Sequence, residues 1–347
     1  MSIVVLKLPA VKRNREERPQ QCRYCEGETF QRWGRVNKPV KDIRVRNVQV
    51  YRYRCCHCKR TFRHYPEGNT SADETERLRL FAIVLWKLGL SYRASSLILS
   101  GLNVLVSFMT IWRDVQAEAQ QMKKRNQWKP VRILGLDGAY VLGWGEKQPV
   151  LVAVDLGTGE PLTLGYIDES DPQAVRRWLE PLVQRHAITV IVTDDLSSYK
   201  IVAEKLQLAH QVCQFHVRRW VGKTLKELQE TLPQEWFWVL EEIQQFIEVL
   251  PVEASKKLYA LWKQLPGRRS KPNQPRSPLE QLRDLLLRLS EDWHKFCTFQ
   301  SEPEIPWTNN ATERAIGRMK MRARTVRGYK SWNGMQAGLL LASTSLT

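Results

Sequence analysis

The sequence lacks any apolar run that approaches the roughly 18–20 residues of a transmembrane helix. Its first ten residues, M-S-I-V-V-L-K-L-P-A, lack the length and the cationic start of a signal peptide. We therefore expect neither export nor a membrane partner, and we expect the protein to act in the cytoplasm, at the nucleoid.

Negative charge is also scarce, because 36 Asp and Glu stand against 54 Lys and Arg. The net charge of +18 favours a polyanionic partner, and without a membrane that partner is DNA or RNA. Hydrophobic residues make up 43% of the chain, which is typical of globular proteins rather than disordered ones. The length of 347 residues is enough for two or three domains.

Four of the seven cysteines form two C-x-x-C pairs, separated by a basic segment. In a reducing compartment such pairs indicate a metal site rather than disulfides. Four thiolates make a closed tetrahedral zinc site, which is structural and not catalytic. The predicted ligands of one Zn²⁺ are Cys22, Cys25, Cys55 and Cys58.

Between the two pairs, the run I-R-V-R-N-V-Q-V-Y-R-Y-R alternates apolar and basic residues, as a half-buried strand does. Residues 1–70 are therefore predicted to form a zinc-ribbon DNA-binding module. Cys56 is the spare thiol of C-C-H-C, and His57 or His64 is an alternative ligand.

Residues 71–127 are predicted to form three short helices separated by tight turns. The first has a capping-box start at Ser71-Ala-Asp-Glu, and the others run from about Ser91 and from about Ser107. This arrangement suits a helix-turn-helix whose third helix contacts DNA. A plain three-helix bundle is the alternative.

From residue 128 to 347 the pattern predicts an α/β domain. Three strand-like runs with short turns predict an antiparallel meander, and alternating helices and strands follow. Together they predict a mixed sheet of ribonuclease-H-like type. Residues 222–300 are helical and rich in Trp, which predicts an all-helical insertion, broken by a polar loop at 266–278.

Two acids, Asp137 and Asp194, follow apolar strand-like runs. Carboxylates at the carboxyl ends of strands lie where α/β folds place their sites, although a lone Asp after a strand is often a turn former. Glu313 is a third acid, at the head of a basic helix. Three hard oxygen ligands suit Mg²⁺ or Mn²⁺ with open positions for water and phosphate.

The segment from Pro306 to Lys330 carries seven Lys and Arg after Glu313 and no further acid. Asn310 stands three residues before Glu313, which is the spacing of a capping box. Lys320 lies two helical turns beyond Glu313 on the same face. A carboxylate followed by cations suits a metal-bound phosphate chain, whereas the alternative is an ordinary capped surface helix.

Three motifs, L-G-L-D-G-A-Y, I-V-T-D-D-L-S-S-Y and W-T-N-N-A-T-E-R-A-I-G-R-M-K, resemble the catalytic blocks of DDE-type transposases of bacterial insertion sequences. The resemblance implies a metal-binding triad of Asp137, Asp194 and Glu313, with Mg²⁺ or Mn²⁺ as cofactor. It also implies DNA cleavage and strand transfer by a homodimer bound to element ends and target DNA. The resemblance implies that Lys320 contacts DNA, and its basic neighbours Arg314, Arg318 and Arg322 are predicted to contact DNA as well.

Cys213-x-x-His216 resembles a C/D-x-x-H motif of related transposases, although a buried Cys and His joining a strand to a helix would look the same. Their role is left open. Two other functions fit the same sequence: a catalytically inactive DNA-binding regulator derived from a transposase, and a nuclease that cuts without joining.

Overall fold

The computed structural model describes residues 6–14, 18–267, 275–326 and 328–345. Most of the predicted polar loop, 268–274, lies outside these described residues. The chain divides into two compact units. Unit 1 contains residues 1–122, 320–329 and 333–347, and unit 2 contains residues 123–319 and 330–332.

Unit 1 begins with an antiparallel sheet of β1 (Phe30–Pro39), β2 (Asn47–Cys55) and β3 (Thr61–His64), in that order. Tyr53 and Phe62 pack beside the cysteines at one end of the sheet. Val48 and Val50 pack with Val40 and Val45 in a second cluster. These two small clusters replace a single large core in this module.

The helical part of unit 1 consists of α1 (Glu76–Lys87), α2 (Tyr92–Gly101), α3 (Phe108–Asn126) and α11 (Trp332–Ser343). The predicted cap at Ser71 is wrong, because the side chain of Thr75 accepts from the backbone N–H of Leu78. Thr75 in turn donates to the buried carboxylate of Asp42, 2.6 Å away. That contact fixes where the first helix begins.

The C-terminal helix completes the core of unit 1. Ala337 and Leu341 of α11 pack with Trp86 of α1 and with Val115 and Ala119 of α3. The residues after 319, predicted to belong to the catalytic domain, therefore group largely with unit 1.

Unit 2 is built on a mixed sheet of five strands in the order β6-β5-β4-β7-β8. The strands are β4 (Ile133–Gly143), β5 (Glu146–Asp155), β6 (Glu160–Gly165), β7 (Val190–Thr193) and β8 (Ala209–Val212). β4, β5 and β6 form the predicted antiparallel meander, whereas β4, β7 and β8 are parallel. This order confirms the predicted ribonuclease-H-like sheet.

Helices α4 (Pro172–His186) and α5 (Ser197–Lys205) cover one face of this sheet. Leu134 and Leu136 of β4 point to that face and are fully buried. Because side chains alternate along a strand, Gly135 and Asp137 point to the opposite face. There Ile133 packs with Ile305, which precedes helix α10 (Asn310–Thr325).

The predicted helical insertion is present between β8 and α10. It consists of α6 (Gln214–Thr231), α7 (Phe237–Val249), α8 (Ala254–Gln264) and α9 (Pro278–Phe296), so it begins eight residues earlier than predicted. Its apolar cluster includes Leu286 and Trp293 and continues to Val212 of β8. No helix in the described part of the chain combines the length and the hydropathy that a membrane span requires.

Candidate active site in unit 2

The parallel pairing of β4 with β7 brings Asp137 and Asp194 to the same level of the sheet. Gly135 pairs with Val192. Asp137 follows Gly135 by two positions, and Asp194 follows Val192 by two positions. Asp137 does not end its strand as predicted, because β4 continues to Gly143 in a hairpin with β5. It lies instead just beyond the last residue that pairs with β7, at the carboxyl edge of the parallel part.

Both acids are held in an environment that disfavours charge. Burial, then the charge of Glu169 and then that of Asp194, raise the pKa of Asp137 to about 7. Burial and the charge of Glu169 raise the pKa of Asp194 to about 6. The backbone N–H of Gly138 donates to Oδ1 of Asp137, at 2.8 Å, and orients that carboxylate.

Asp195, the neighbour of Asp194, has a different environment. Its carboxylate forms ion pairs with Lys200, at 2.6 Å, and with Arg288. Within the described residues no Lys, Arg or His forms an ion pair with Asp194, whose Oδ1 is buried without a hydrogen-bond partner. Perturbed, unpaired carboxylates of this kind are typical of functional sites, whereas Asp195 is already neutralised by structure.

Glu313 lies in the first turn of α10, and its Oε1 is 3.1 Å from Nε2 of His216. The predicted capping box between Asn310 and Glu313 is wrong, because the helix already includes Asn310. Asn309 stands before the helix, and its carbonyl accepts from the backbone N–H of Glu313, at 3.1 Å. The side chain of Glu313 is therefore directed by α6 and not by its own helix end.

Asn309 also fastens the start of α10 to β4. Its side-chain amide donates to the carbonyl of Leu136, at 2.8 Å, and its oxygen accepts from the hydroxyl of Thr312, at 2.6 Å. Asn309 and Thr312 are both buried. Gly135 makes this approach possible, since any Cβ there would overlap both side chains. The hydrogen bonds of Asn309 place the first turn of α10 over the strand that carries Asp137.

Cys213 and His216 lie next to Asn309 and Glu313 at the start of α10. Cys213 is fully buried, and its Sγ accepts from the backbone N–H of Asn309, at 3.4 Å. One potential ligand atom from each of Cys213, His216 and Glu313 lies within 4.8 Å of the others. Among the described residues, Asp137, Asp194 and Glu313 do not form a set that close. The charge of Glu313 nevertheless contributes to the raised pKa of Asp137.

The sequence interpretation missed Glu169, which follows β6 and precedes α4. Its carboxylate lies over the backbone of Gly138, next to Asp137, and accepts from the Tyr199 hydroxyl, at 2.6 Å. An acid between a strand and a helix is common, so the motif D-E-S-D carried no distinctive signal. Only the return of this loop to β4 shows the proximity.

The basic residues after Glu313 differ in exposure. Arg314 and Lys320 are exposed, and Arg318 is half-buried. Arg322 is only 2% exposed, with its guanidinium 4.2 Å from the centre of the Trp86 ring and donating to the carbonyl of Leu90. The predicted DNA contact through Arg322 is therefore not retained, because this side chain stabilises unit 1.

The cysteine cluster in unit 1 has the geometry of a tetrahedral thiolate site. Sγ of Cys22 lies 3.8 Å from that of Cys58, and Sγ of Cys25 lies 3.6 Å from that of Cys55. Zinc–sulfur bonds of about 2.3 Å require sulfur–sulfur separations of roughly 3.8 Å in a tetrahedron. The four thiols lie within 4.8 Å of one another, and Cys56, His57 and His64 are not members of the cluster. The site is compatible with zinc.

The same small sheet presents a cationic surface. Arg52 of β2 stands directly opposite Arg63 of β3, and both are exposed. Arg54 lies two residues further along on the same side and stacks 4.9 Å from the centre of the Trp33 ring. Like charges directly opposite one another in a sheet destabilise it. The surface formed by Arg52, Arg54 and Arg63 is called the arginine face below.

Residues 171–337 match the model of the transposase IS66 family. The matched segment contains Asp194 and Glu313 but neither Asp137 nor Glu169. No curated protein matches the chain.

Similar solved structures include the catalytic core domain of BIV integrase, at 15% identity over 44% of this chain and 95% of that chain, with a TM-score of 0.20. They also include the simian T-cell lymphotropic virus intasome in complex with the PP2A regulatory subunit B56 gamma, at 15% identity over 47% of this chain and 49% of that chain, again with a TM-score of 0.20. At these scores neither structure bears on the fold, which follows from the strand order.

Proposed function

We propose, on the premise that a chain similar to the IS66 transposases works by the DDE mechanism, that this protein cleaves and joins DNA at insertion-sequence ends. The observation that carries the proposal is the β4–β7 register, which sets Asp137 level with Asp194 while α10 is locked over the same strand. Asp137, Asp194 and Glu313 are the proposed catalytic acids.

The donor set fits a hard divalent cation. Carboxylate oxygens are the ligands that Mg²⁺ and Mn²⁺ prefer. Asp194 has a buried oxygen without a partner, and Asp137 and Asp194 have no ion-pairing cation among the described residues. A bound pair of such ions would activate the attacking water or 3′-hydroxyl and stabilise the leaving oxygen.

The surrounding residues orient these acids. The N–H of Gly138 fixes the Asp137 carboxylate, and His216 fixes the Glu313 carboxylate. Asn309 holds α10 to β4, so the turn that carries Glu313 cannot shift along the strand. Such supporting contacts keep a catalytic constellation within the small tolerance that phosphoryl transfer needs.

DNA would be held by cations outside the acidic centre. In unit 2, Arg314 and Arg318 follow Glu313, and Lys320 continues the same helix in unit 1. The helix-turn-helix and the arginine face of the zinc ribbon would bind element DNA through phosphates. Zn²⁺ at the four cysteines would hold the ribbon folded. We include a homodimer in the proposal, because two element ends must be processed together.

A strand-joining assay tests this function. The substrate is a plasmid that carries the DNA flanking the coding sequence, supplied with Mg²⁺ or Mn²⁺, and joined products are separated on a gel. The variant Glu313→Gln keeps the size of the side chain and a group for His216, but it loses the charge. We expect wild-type protein to cut and join, and Glu313→Gln to lose both while retaining DNA binding.

The DNA products of this assay distinguish a transposase from a nuclease and from a DNA-binding regulator. Cleavage without joined products would indicate a nuclease. DNA binding without either product in wild-type protein would indicate a regulator. A Glu313→Gln protein that joins at the wild-type rate would overturn the assignment of Glu313.

A further inference from the structure

A fourth carboxylate reaches the acidic site from the loop between β6 and α4. The carboxylate of Glu169 occupies the space that a side chain at position 138 would fill, because any Cβ on Gly138 would overlap it. Gly138 directly follows Asp137 on β4. The absence of a side chain there is therefore what admits Glu169 to the site.

A buried hydroxyl holds Glu169 in this position. Tyr199 of α5 is fully buried, and its hydroxyl donates to Oε2 of Glu169 at 2.6 Å. A tyrosine phenol keeps its proton near neutral pH, so the hydroxyl of Tyr199 remains a donor. The contact uses Oε2 and leaves Oε1 available for another partner.

The carboxylates of Glu169 and Asp137 lie beside the same residue, Gly138. The backbone N–H of Gly138 donates to Oδ1 of Asp137, at 2.8 Å, and the Glu169 carboxylate occupies the space next to its Cα. Within the part of the chain that the structure describes, no Lys, Arg or His forms an ion pair with Glu169. Nearby acids elsewhere in unit 2 are paired, as Asp292 is with Lys200, at 2.7 Å.

We propose that Glu169 is a fourth ligand of the catalytic metal site, which it completes together with Asp137 and Asp194. Tyr199 is then a positioning residue that directs the carboxylate, as outer hydrogen bonds commonly direct metal ligands. The proposal rests on the proposed function, since that function supplies the divalent cation.

A purely structural role for Glu169 makes a different prediction. If Glu169 served only to accept from Tyr199, Glu169→Gln would be nearly silent, because the amide oxygen accepts the same hydrogen bond. A metal ligand, by contrast, needs the negative charge. The charge-removing variant therefore separates the two roles while leaving the packing unchanged.

The test is Mn²⁺ binding to the full chain, measured by electron paramagnetic resonance at pH 8 without DNA. The matched control is Asp168→Asn, which changes the adjacent acid. Asp168 accepts from Ser170 through Oδ1 and from Tyr140 through Oδ2. The oxygen of an Asn can keep the first bond, and its NH2 group can donate to the Tyr140 hydroxyl. We expect Glu169→Gln to weaken Mn²⁺ binding at least about tenfold, Tyr199→Phe to weaken it less, and Asp168→Asn to leave it unchanged.

Asp137→Asn, measured in parallel, separates failure of this proposal from failure of the proposed function. If Asp137→Asn loses Mn²⁺ and Glu169→Gln binds as wild type does, Glu169 is no ligand but the metal site stands. If Asp137→Asn also binds as wild type does, the metal site itself is wrong. An equal loss in Asp168→Asn would show a general effect of loop charge and would likewise overturn the role of Glu169.

Discussion

Nε2 of His216 lies 3.1 Å from Oε1 of Glu313, although Glu313 is 97 positions further along the chain. The contact links the first turn of α6 to the first turn of α10. The rest of the helical insertion lies between these two turns in sequence, so its fold returns the chain to the site. His216 is thereby a positioning residue for the proposed acid and not an isolated histidine.

Removing this imidazole should impair chemistry more than DNA binding. We expect His216→Ala to lower the cleavage rate about 10- to 100-fold, the usual cost of losing a group that orients a ligand. His216→Gln keeps a donor and should restore part of the rate. Measurement of cleavage at saturating DNA checks this, with the exposed His294 of α9 replaced by Ala as a control. Equal rates in His216→Ala and wild type would contradict the role.

The adjacent acids at the end of β7 should behave differently when neutralised. Asp194→Asn should abolish cleavage with little loss of stability, because no ion pair is broken. Asp195→Asn should retain most activity but lower the melting temperature, because Lys200 and Arg288 lose their shared partner. Calorimetry combined with the cleavage assay measures both effects. The opposite pattern would show that Asp195 is the catalytic acid.

The raised pKa of Asp137 predicts how stability varies with pH. The pKa of this carboxyl is about 7 in the folded chain, whereas its ordinary value is 3.8. At pH values between these two, the folded chain binds more protons than the unfolded chain does. The free energy of unfolding therefore falls as pH rises from about 4 to about 7. In metal-free protein at pH 8, Asp137→Asn should raise the free energy of unfolding by up to about 4 kcal/mol, because each unit of pKa shift corresponds to about 1.4 kcal/mol.

Chemical denaturation at several pH values checks this expectation. The gain should shrink as the pH is lowered from 8 toward 5, because the Asp137 carboxyl is then already neutral in the folded chain. A gain that is independent of pH would show that packing, and not charge, distinguishes the two side chains.

The four-cysteine cluster predicts which of the adjacent thiols, Cys55 or Cys56, is needed for zinc binding. Cys55→Ser should lower the zinc content and destabilise the ribbon, since Cys55 is a fully buried member of the cluster. Cys56→Ser, one residue away, should leave one Zn²⁺ per chain. Metal analysis of the purified variants distinguishes them. Loss of zinc from Cys56→Ser alone would mean that the cluster uses the other thiol.

The arginine face predicts a change in salt dependence. Replacing Arg52 and Arg63 with Ala should weaken binding across DNA sequences and reduce the slope of log K against log salt by about one for each phosphate ion pair that is removed. Lys256, exposed in the insertion and paired with Glu253, provides a control that should change neither quantity. Filter binding over a range of salt concentrations measures the slope. An unchanged slope would exclude this surface.

The sequence was sufficient to predict the elements whose signals are local. Apolar periodicity predicted β4 to β8, and the paired spacing of four cysteines predicted their cluster. Contacts between distant segments were not predictable in this way. Glu169 lies next to Asp137 because Gly138 leaves room for it, and the guanidinium of Arg322 is buried against the ring of Trp86. Neither relation has a signature at fixed spacing along the chain.

The packing of α11 against α1 and α3 has a consequence for synthesis. Trp86 leaves the ribosome about 250 residues before Ala337 and Leu341, which complete the core around it. The helical part of unit 1 can therefore complete its core only after α11 has been translated, and the five-stranded sheet of unit 2 is translated before that helix. A nonsense mutation that spared every proposed catalytic acid but removed α11 would release a chain in which Trp86 is exposed, and we expect that chain to be prone to aggregation and proteolysis.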